Sequence, residues 1–476
     1  MRVLYVSTEI YPALKTGGLA DVNAALPPAL IRLGADVRLL LPGFPALLAA
    51  AAPLARVTTL EAAFGAAPAH VARGALGGVP AYCIDAPGFY ARAGGPYTDA
   101  ARLDWPDNHL RFALLGWVAA RFADGGIDGW RPDIIHGHDW HAGLAPAYLA
   151  ARGGDRPGSV FTVHNLSYQG QFPAETFGAL GLPPHFFALQ GLEFYGKVNF
   201  IKAGLHYADR ITTVSPAYAR EIQTAEQGCG MDGLLRSRAG ALTGILNGVD
   251  PREWSPAVDA RLPARYDAAN LAGKAVCKAA LRAALGLATG AAGPLLGVVS
   301  RLTRQKGLDL LLGALPRLLE GGGQLALLGA GDADLEEGFQ AAAGAHPGAV
   351  AVRIGYDEDL AHAIVAGADA IAVPSRFEPC GLTQMYGLAY GTLPLVRRVG
   401  GLADTVRDAG SPGGTGFVFD EATAAALGAA LERVLALWRD PAGWAAVRRR
   451  GMGEDFGWAP SARRYLELYR ALRPQA

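Results

Sequence analysis

The sequence predicts an α/β protein of two doubly wound, parallel-sheet units facing one cleft, on three observations. Short aliphatic runs alternate with longer amphipathic ones in both halves of the 476 residues, the rhythm of βαβ units. Polar and unusual residues follow the predicted strands, and open parallel sheets bind ligands at the carboxyl ends of their strands. A five-residue word, Gly-Gly-Leu-Ala-Asp, stands at 17–21 and again at 400–404, each time after a predicted strand and before a predicted helix. A glycine pair at such a turn lets backbone approach a ligand, and the helix start offers N–H groups to an anion.

In the first half the aliphatic runs place strands at 3–7, 36–41, 133–136, 159–164 and 210–214. The helix opening at Gly18 has a face of Leu19, Val22 and Leu26, and Pro27-Pro28 is expected to kink or end it. The uncharged run 39–55 approaches membrane-spanning length, but Pro42, Pro45 and Pro53 interrupt it. It reads as a buried strand, a turn and a poor helix. In the second half strands are expected at 295–300, 324–328, 349–354, 370–373 and 393–396. Helices should begin near Leu308, Asp334, Asp357, Leu382 and Leu402. The divide is expected after 242–246, giving a first unit of 1–246 and a second of 247–456. The tail 457–476 is an amphipathic helix, with Tyr465, Leu466, Leu468, Tyr469 and Leu472 near one face. It either closes the second unit or crosses back to the first.

A hydrophobic share of 51% lets each half bury a core, and two units are natural for this length. Lys+Arg and Asp+Glu balance at 43 each, against a nucleic-acid partner, which needs a basic footprint. Six of the basic residues are lysines, at 15, 197, 202, 274, 278 and 306. In an arginine-rich, alanine-rich chain, a retained lysine hints that a compact ammonium is wanted. Cys83, Cys229, Cys277 and Cys380 form no Cys-x-x-Cys pair, so neither a disulfide framework nor a zinc site is expected. Scattered thiols and a strand that begins at once point to a cytoplasmic protein without a signal peptide, associated with no membrane.

Several motifs carry chemistry. Lys15-Thr16-Gly17-Gly18 is a surface turn or a phosphate holder; it is not a Walker A loop. Arg301-Leu302-Thr303-Arg304-Gln305-Lys306-Gly307 is a solvated basic turn or a diphosphate clamp, in which an arginine fork joins a lysine point charge. Phe377-Glu378-Pro379-Cys380-Gly381-Leu382-Thr383 puts a carboxylate and backbone N–H groups where sugar hydroxyls could meet them. The alternative is an acid that merely favours a helix N-terminus, and Cys380 reads as a pocket-wall thiol. The three histidines and the aspartate of 136–141 look like a metal box, but ligands spaced along a strand end are expected to splay, so no metal is expected there. Asp332 and Asp334 sit at a predicted helix start, where acids belong. Gly329-Ala330-Gly331 lacks the third glycine of a dinucleotide fingerprint, which disfavours a nicotinamide enzyme.

Taken together, Lys15–Asp21, His138-Asp139-Trp140-His141, Thr162-Val163-His164-Asn165, Leu246-Asn247-Gly248-Val249-Asp250, Ser300–Gly307 and Pro374–Thr383 resemble glycosyltransferase family 5, the bacterial glycogen synthases related to plant starch synthases. The likeness runs from the first strand to the C-terminal helix. It implies two Rossmann-like domains in the GT-B arrangement, with the last helix returning to the N-domain. It implies retaining transfer of glucose from ADP-glucose to the non-reducing end of an α-1,4-glucan primer such as glycogen, with no cofactor and no metal. The implied catalytic set is Lys15, His164, Arg301, Lys306 and Glu378. Lys15, the Gly17 and Gly18 backbone, Arg301 and Lys306 would meet the donor diphosphate. Tyr356 would stack on adenine. Glu378 and the backbone of Cys380, Gly381 and Leu382 would hold the glucose, with Thr383 on a phosphate. Tyr97, Asp139, His164 and Asn247 would line the sugar cleft, and Asp21 would support the Lys15 loop. Many wider retaining GT-B enzymes carry a second glutamate eight positions after the first; here it is Tyr386, so no ribose contact by that carboxylate is expected. Since neither half holds a complete set, domain closure should exclude water. A glucan phosphorylase, needing pyridoxal phosphate on a lysine, and a non-catalytic glycan-binding protein are the alternatives.

Overall fold

The computed structural model describes residues 1–61, 64, 68–125 and 127–473. The chain divides into two compact units: Met1–Gly248 with the chain from Trp458 onward, and Val249–Gly457.

The first unit is built on a nine-stranded sheet. Its strands are β1 (Arg2–Val6), β2 (Asp36–Pro42), β3 (Ala55–Leu60), β4 (Ala69–Leu76), β5 (Val79–Asp85), β6 (Ile134–His138) and β7 (Gly158–Val163), followed beyond a smaller sheet by β11 (Arg210–Thr213) and β12 (Leu242–Gly244). The order is β12-β11-β7-β6-β1-β2-β5-β4-β3. All pairs are parallel except β5 with β4 and β4 with β3. Val3, Leu4, Tyr5 and Val6 are fully buried, as a central strand covered on both faces requires. The chain leaves β1 toward β2 on one side and returns to β6 on the other, so the β1/β6 boundary is the switch point where such sheets bind ligands. The smaller antiparallel sheet sets β8 (Gln171–Pro173) and β9 (Glu193–Phe194) on either side of β10 (Lys197–Asn199).

The helix Gly18–Arg32 continues through Pro27 and Pro28, so of the two expectations, a kink or an end, the prolines do not end it. An interior proline costs about 3 kcal/mol, but Leu26 and Leu30 are fully buried and Pro27 itself faces the core. Each buried leucine contributes about 1.5–3 kcal/mol, and the C-terminal helix Trp458–Leu472 packs onto the same helix. Tyr465, Leu466 and Tyr469 of that last helix are buried, and the Tyr469 hydroxyl lies 2.7 Å from His136 Nδ1. The 39–55 run is the end of β2 and the short helix Pro45–Ala50. Among the described residues no helix is long and apolar enough to cross a membrane.

The second unit holds a six-stranded, wholly parallel sheet of β13 (Leu295–Val299), β14 (Gln324–Gly329), β15 (Val350–Ile354), β16 (Ala370–Val373), β17 (Leu393–Arg397) and β18 (Phe417–Phe419). The order is β15-β14-β13-β16-β17-β18, so its switch point lies between β13 and β16. The segments that follow these two strands carry Arg301, Lys306 and Glu378.

Candidate active site

In the second unit two loops are locked into one body. After β13 the chain makes a tight turn, Arg304–Lys306, and enters the helix Leu308–Glu320 through Gly307. Gly307 has φ +68, and a Cβ there would lie 2.0 Å from the carbonyl oxygen of Pro374. Only glycine lets this turn lie against the end of β16. Arg376 then forks onto the Asp309 carboxylate at 2.6 and 2.7 Å, a bidentate pair, and its backbone N–H donates to Gln305 O at 2.8 Å. The hydrogen bonds from Arg376 hold the Asp309 carboxyl below the usual carboxylate range.

That frame aims Lys306 at Glu378. The Lys306 ammonium lies 2.6 Å from Glu378 Oε2, which also accepts from Ser375 Oγ at 2.9 Å. Glu378 is buried, Lys306 half-buried and Arg301 exposed at the rim. Cys380 is buried, Gly381 is left-handed with φ +69, and Thr383 opens the helix Thr383–Ala389, preceded by Leu382. Tyr356, beyond β15, is 74% exposed, and its hydroxyl donates to Glu358. Tyr386 lies flat on Trp254, the rings 3.8 Å apart and 3° from parallel.

The second Gly-Gly-Leu-Ala-Asp word backs the Glu378 loop. Gly400 has φ +43, and a Cβ there would fall 1.8 Å from the Glu378 carbonyl oxygen; one on Gly401 would fall 2.1 Å from that of Cys380. The Gly401 N–H donates to Glu378 O at 3.1 Å. These glycines are required by the protein's own packing. The first word is different: Gly17 is extended (φ −163), and a Cβ there would meet nothing within 4 Å.

In the first unit β1 ends in three buried polar residues, Ser7, Thr8 and Glu9. The Glu9 carboxylate accepts from the Thr16 N–H and hydroxyl, both at 2.6 Å, and from the Tyr97 hydroxyl. It therefore fixes the loop that carries Lys15, whose ammonium lies 3.0 Å from Asp21 and 5.2 Å from the centre of the Tyr11 ring. Gly18 begins the helix that follows. Tyr97 stacks on His141, ring centres 4.4 Å apart.

The histidines do not splay as expected. Residues i and i+2 share one face of a strand, so His136 and His138 of β6 lie with ring centres 4.1 Å apart, and His138 Nδ1 comes 3.0 Å from His164 Nε2. Burial holds the pKa of His136, His141 and His164 down at about 3. At neutral pH they are uncharged. Asp139 sits at the end of β6 with φ +55 and accepts from the His164 N–H at 2.7 Å. Burial raises its carboxyl to about 7, against the pull of the backbone N–H groups of His164 and Asn165. Asn247 is buried, and its side-chain oxygen has no hydrogen-bond partner. Among the described residues no group of three or more His, Cys, Asp or Glu side chains is arranged to hold a metal.

The structure thus joins Lys306 to Glu378, Lys15 to Asp21, Asp139 to His164 and Tyr97 to the Lys15 loop, while Tyr356 meets Glu358 on the turn beyond β15. Sequence reasoning missed Glu9 as the anchor of the Lys15 loop, although an acid directly after an apolar strand was a readable signal. The Arg376–Asp309 fork left no such signal.

Residues 2–237 match the starch synthase catalytic domain, and residues 288–447 match glycosyl transferases group 1. A glycogen synthase of Leptothrix cholodnii is 59% identical, the alignment covering 98% of this chain and 99% of the relative. One from Edwardsiella ictaluri is 56% identical over 99% of this chain and 100% of its own. The catalytic domain of starch synthase IV from Arabidopsis thaliana, solved bound to ADP and acarbose, superposes with a TM-score of 0.89 at 33% identity, over 99% of each chain. Sucrose-phosphate synthase from Thermosynechococcus elongatus, at 19% identity and a TM-score of 0.60 over 100% of each chain, shares the fold. The chain is a glycosyltransferase of the GT-B fold and belongs to the glycogen synthase family.

Proposed function

We propose that the chain elongates an α-1,4-glucan such as glycogen by transferring glucose from ADP-glucose to the non-reducing end, with retention of configuration at the anomeric carbon. The observation that carries this reading is the Lys306–Glu378 pair, an ammonium and a carboxylate 2.6 Å apart at a sheet switch point. A nucleotide sugar presents phosphate oxygens beside sugar hydroxyls, so its site needs a cation and a hydrogen-bond acceptor side by side.

In this reading Arg301 and Lys306 take the diphosphate, with Lys15 and the Gly17-Gly18 backbone, and stabilise the negative charge that grows as the bond from the anomeric carbon to the phosphate oxygen breaks. Glu378 and the backbone of Cys380, Gly381 and Leu382 hold the glucose hydroxyls, and Thr383 reaches a phosphate. The incoming 4-hydroxyl forms the new bond on the face the diphosphate leaves, and its proton passes to the departing phosphate oxygen. Asp139, His164, Tyr97 and Asn247 line the sugar path, with the histidine neutral. Tyr356 stacks on adenine; the solved relative bound to ADP supports that choice of base. A cytoplasmic setting fits, since the four cysteines form no disulfide.

Nucleotide release with glycogen tests the donor. ADP-glucose should support turnover at least tenfold faster than UDP-glucose, about 1.4 kcal/mol of discrimination. Equal rates, or a preference for UDP-glucose, would refute the adenine assignment.

A further inference from the structure

Tyr356 follows Gly355, whose φ of +126 swings the chain out beyond β15. The ring is exposed, and its hydroxyl donates to Glu358 Oε2. Glu358 opens the helix Glu358–Gly367, and its other oxygen, Oε1, lies 3.8 Å from Nε2 of His362, one turn along the same face. His362 is buried. Its Nδ1 lies 2.7 Å from Oδ2 of the buried Asp259, which also accepts from the Tyr390 hydroxyl at 2.7 Å. Asp259 Oδ1 accepts from the Arg261 N–H at 2.9 Å. With Nδ1–H donating to a carboxylate, the neutral ring turns a lone pair toward Glu358 and the imidazolium turns an N–H toward it. Only the imidazolium attracts Glu358.

The surroundings favour that charged ring. Burial works against it, but the contacts with Asp259 and Glu358 outweigh burial and raise the His362 pKa above its ordinary 6.5, with Arg261 opposing. Arg261 is itself paired, with Asp359 at 3.1 Å and Glu253 at 3.5 Å. Burial works against the Asp259 carboxylate as well, yet hydrogen bonds from His362, Tyr390 and the Arg261 N–H hold it below the usual carboxylate range. The imidazole lies on Trp254, ring centres 3.7 Å apart and 17° from parallel, and an indole face attracts a cation. The opposite face of Trp254 carries Tyr386. The stack therefore clamps His362 against the helix Thr383–Ala389, and the ring has no need of Glu358 to keep its place.

We propose that Asp259, His362 and Glu358 form a relay that positions Tyr356 for the nucleobase: His362 holds the Glu358 carboxylate, and Glu358 holds the Tyr356 hydroxyl. This rests on the reading in which Tyr356 stacks on adenine. A ring set before the base arrives loses less freedom on binding, which is worth about two- to tenfold in affinity. Glu358 and His362 act through Tyr356 as positioning residues. The grip is full while His362 carries its proton and is lost as the pH rises through its pKa.

The test uses the full chain. ADP is titrated by calorimetry, and turnover of ADP-glucose with saturating glycogen is followed from about pH 6 to about pH 9, the range that brackets a raised histidine pKa. At the low end Tyr356→Phe and Glu358→Gln should each weaken ADP about two- to tenfold. The double variant should lose no more than either single one, because both break the same link. The KM for ADP-glucose should rise with kcat within about twofold of wild type, since setting the base changes binding alone. The ratio of KM between Glu358→Gln and wild type should be widest near pH 6 and close as the pH climbs past His362; Asp139 titrates in both proteins and cancels in that ratio. Additive losses in the double variant, or a ratio that does not move with pH, overturn the relay. Tyr356→Ala separates the relay from the stacking. Weak ADP binding by Tyr356→Ala, with wild-type affinity in Tyr356→Phe and Glu358→Gln, would keep the stacking and remove the relay. Wild-type affinity in Tyr356→Ala would remove both. A wild-type protein that binds UDP in place of ADP, with the same response to these variants, would sink the ADP-glucose reading and leave the relay standing.

Discussion

Replacing Gly400 with alanine should damage both stability and turnover, whereas the same change at Gly17 should damage turnover alone. The two glycines occupy the same place in identical words, but their surroundings differ. At Gly400 the added methyl would sit 1.8 Å from the Glu378 carbonyl oxygen, so the Glu378 loop must retreat by about 1.5 Å to reach ordinary contact. The left-handed φ of +43 adds about 1–2 kcal/mol of strain, and overpacking about 1–3 kcal/mol more. The melting temperature should fall by roughly 5 °C or more for a unit of this size. A 1 Å displacement at the reacting groups costs about a hundredfold in rate. At Gly17 the methyl meets nothing within 4 Å and the backbone is extended, so stability should stay within about 0.5 kcal/mol of wild type. If the donor diphosphate approaches that backbone, kcat/KM for ADP-glucose should still fall about tenfold, near 1.4 kcal/mol. Thermal melts by circular dichroism and steady-state ADP release measure the two effects. Wild-type melting and turnover in Gly400→Ala would refute the steric reasoning. Wild-type kcat/KM in Gly17→Ala would remove the Gly17 loop from the donor site.

Two further predictions concern protons in the first unit. The Asp139 carboxyl, raised by burial to about 7 from 3.8, keeps a proton in the native state that the unfolded chain releases above about pH 4. Its contribution is therefore full at low pH and is lost as pH rises toward 7. Asp139→Asn removes the titration, so the gain in melting temperature over wild type should be larger at pH 8 than at pH 5; a gain independent of pH contradicts the assignment. His136, His141 and His164, held at about 3 by burial, act in the opposite sense. The unfolded chain takes up protons below about pH 6.5 that the native state refuses, so their stability is present above that pH and lost as pH falls. Their ring-proton NMR shifts should stay flat from pH 8 to pH 5, and a sigmoid centred near 6.5 would contradict the burial argument.

The centre of each sheet was legible because strands covered on both faces must be apolar throughout. All five strands predicted for the first unit lie side by side as β11-β7-β6-β1-β2. The β3–β5 edge was not predicted, since Pro80 breaks one run and the half-exposed β4 breaks another. The Gly77-Gly78 turn between them, φ +56 and +81, was the readable hairpin signal. The helix through Pro27-Pro28 misled because local cost was visible and the packing of a helix more than 400 residues away was not. The chemistry-bearing residues were legible one at a time, from their places at strand ends. Their pairing was not: Lys306 meets Glu378 across 72 positions and Arg376 meets Asp309 across 67, and no local pattern encodes such distances. The repeated word looked like one device used twice, yet it serves open space at Gly17 and tight backbone packing at Gly400.

The central claim, that Lys306 and Glu378 form the core of a nucleotide-sugar site, is tested most directly by the initial rate of ADP release from ADP-glucose with glycogen in Lys306→Ala. Losing one preorganised charge contact to the departing diphosphate should lower kcat about a hundred- to a thousandfold, and the melting temperature should fall as well, because the buried Glu378 carboxylate loses its cation. A folded Lys306→Ala protein that releases ADP at the wild-type rate would contradict the account.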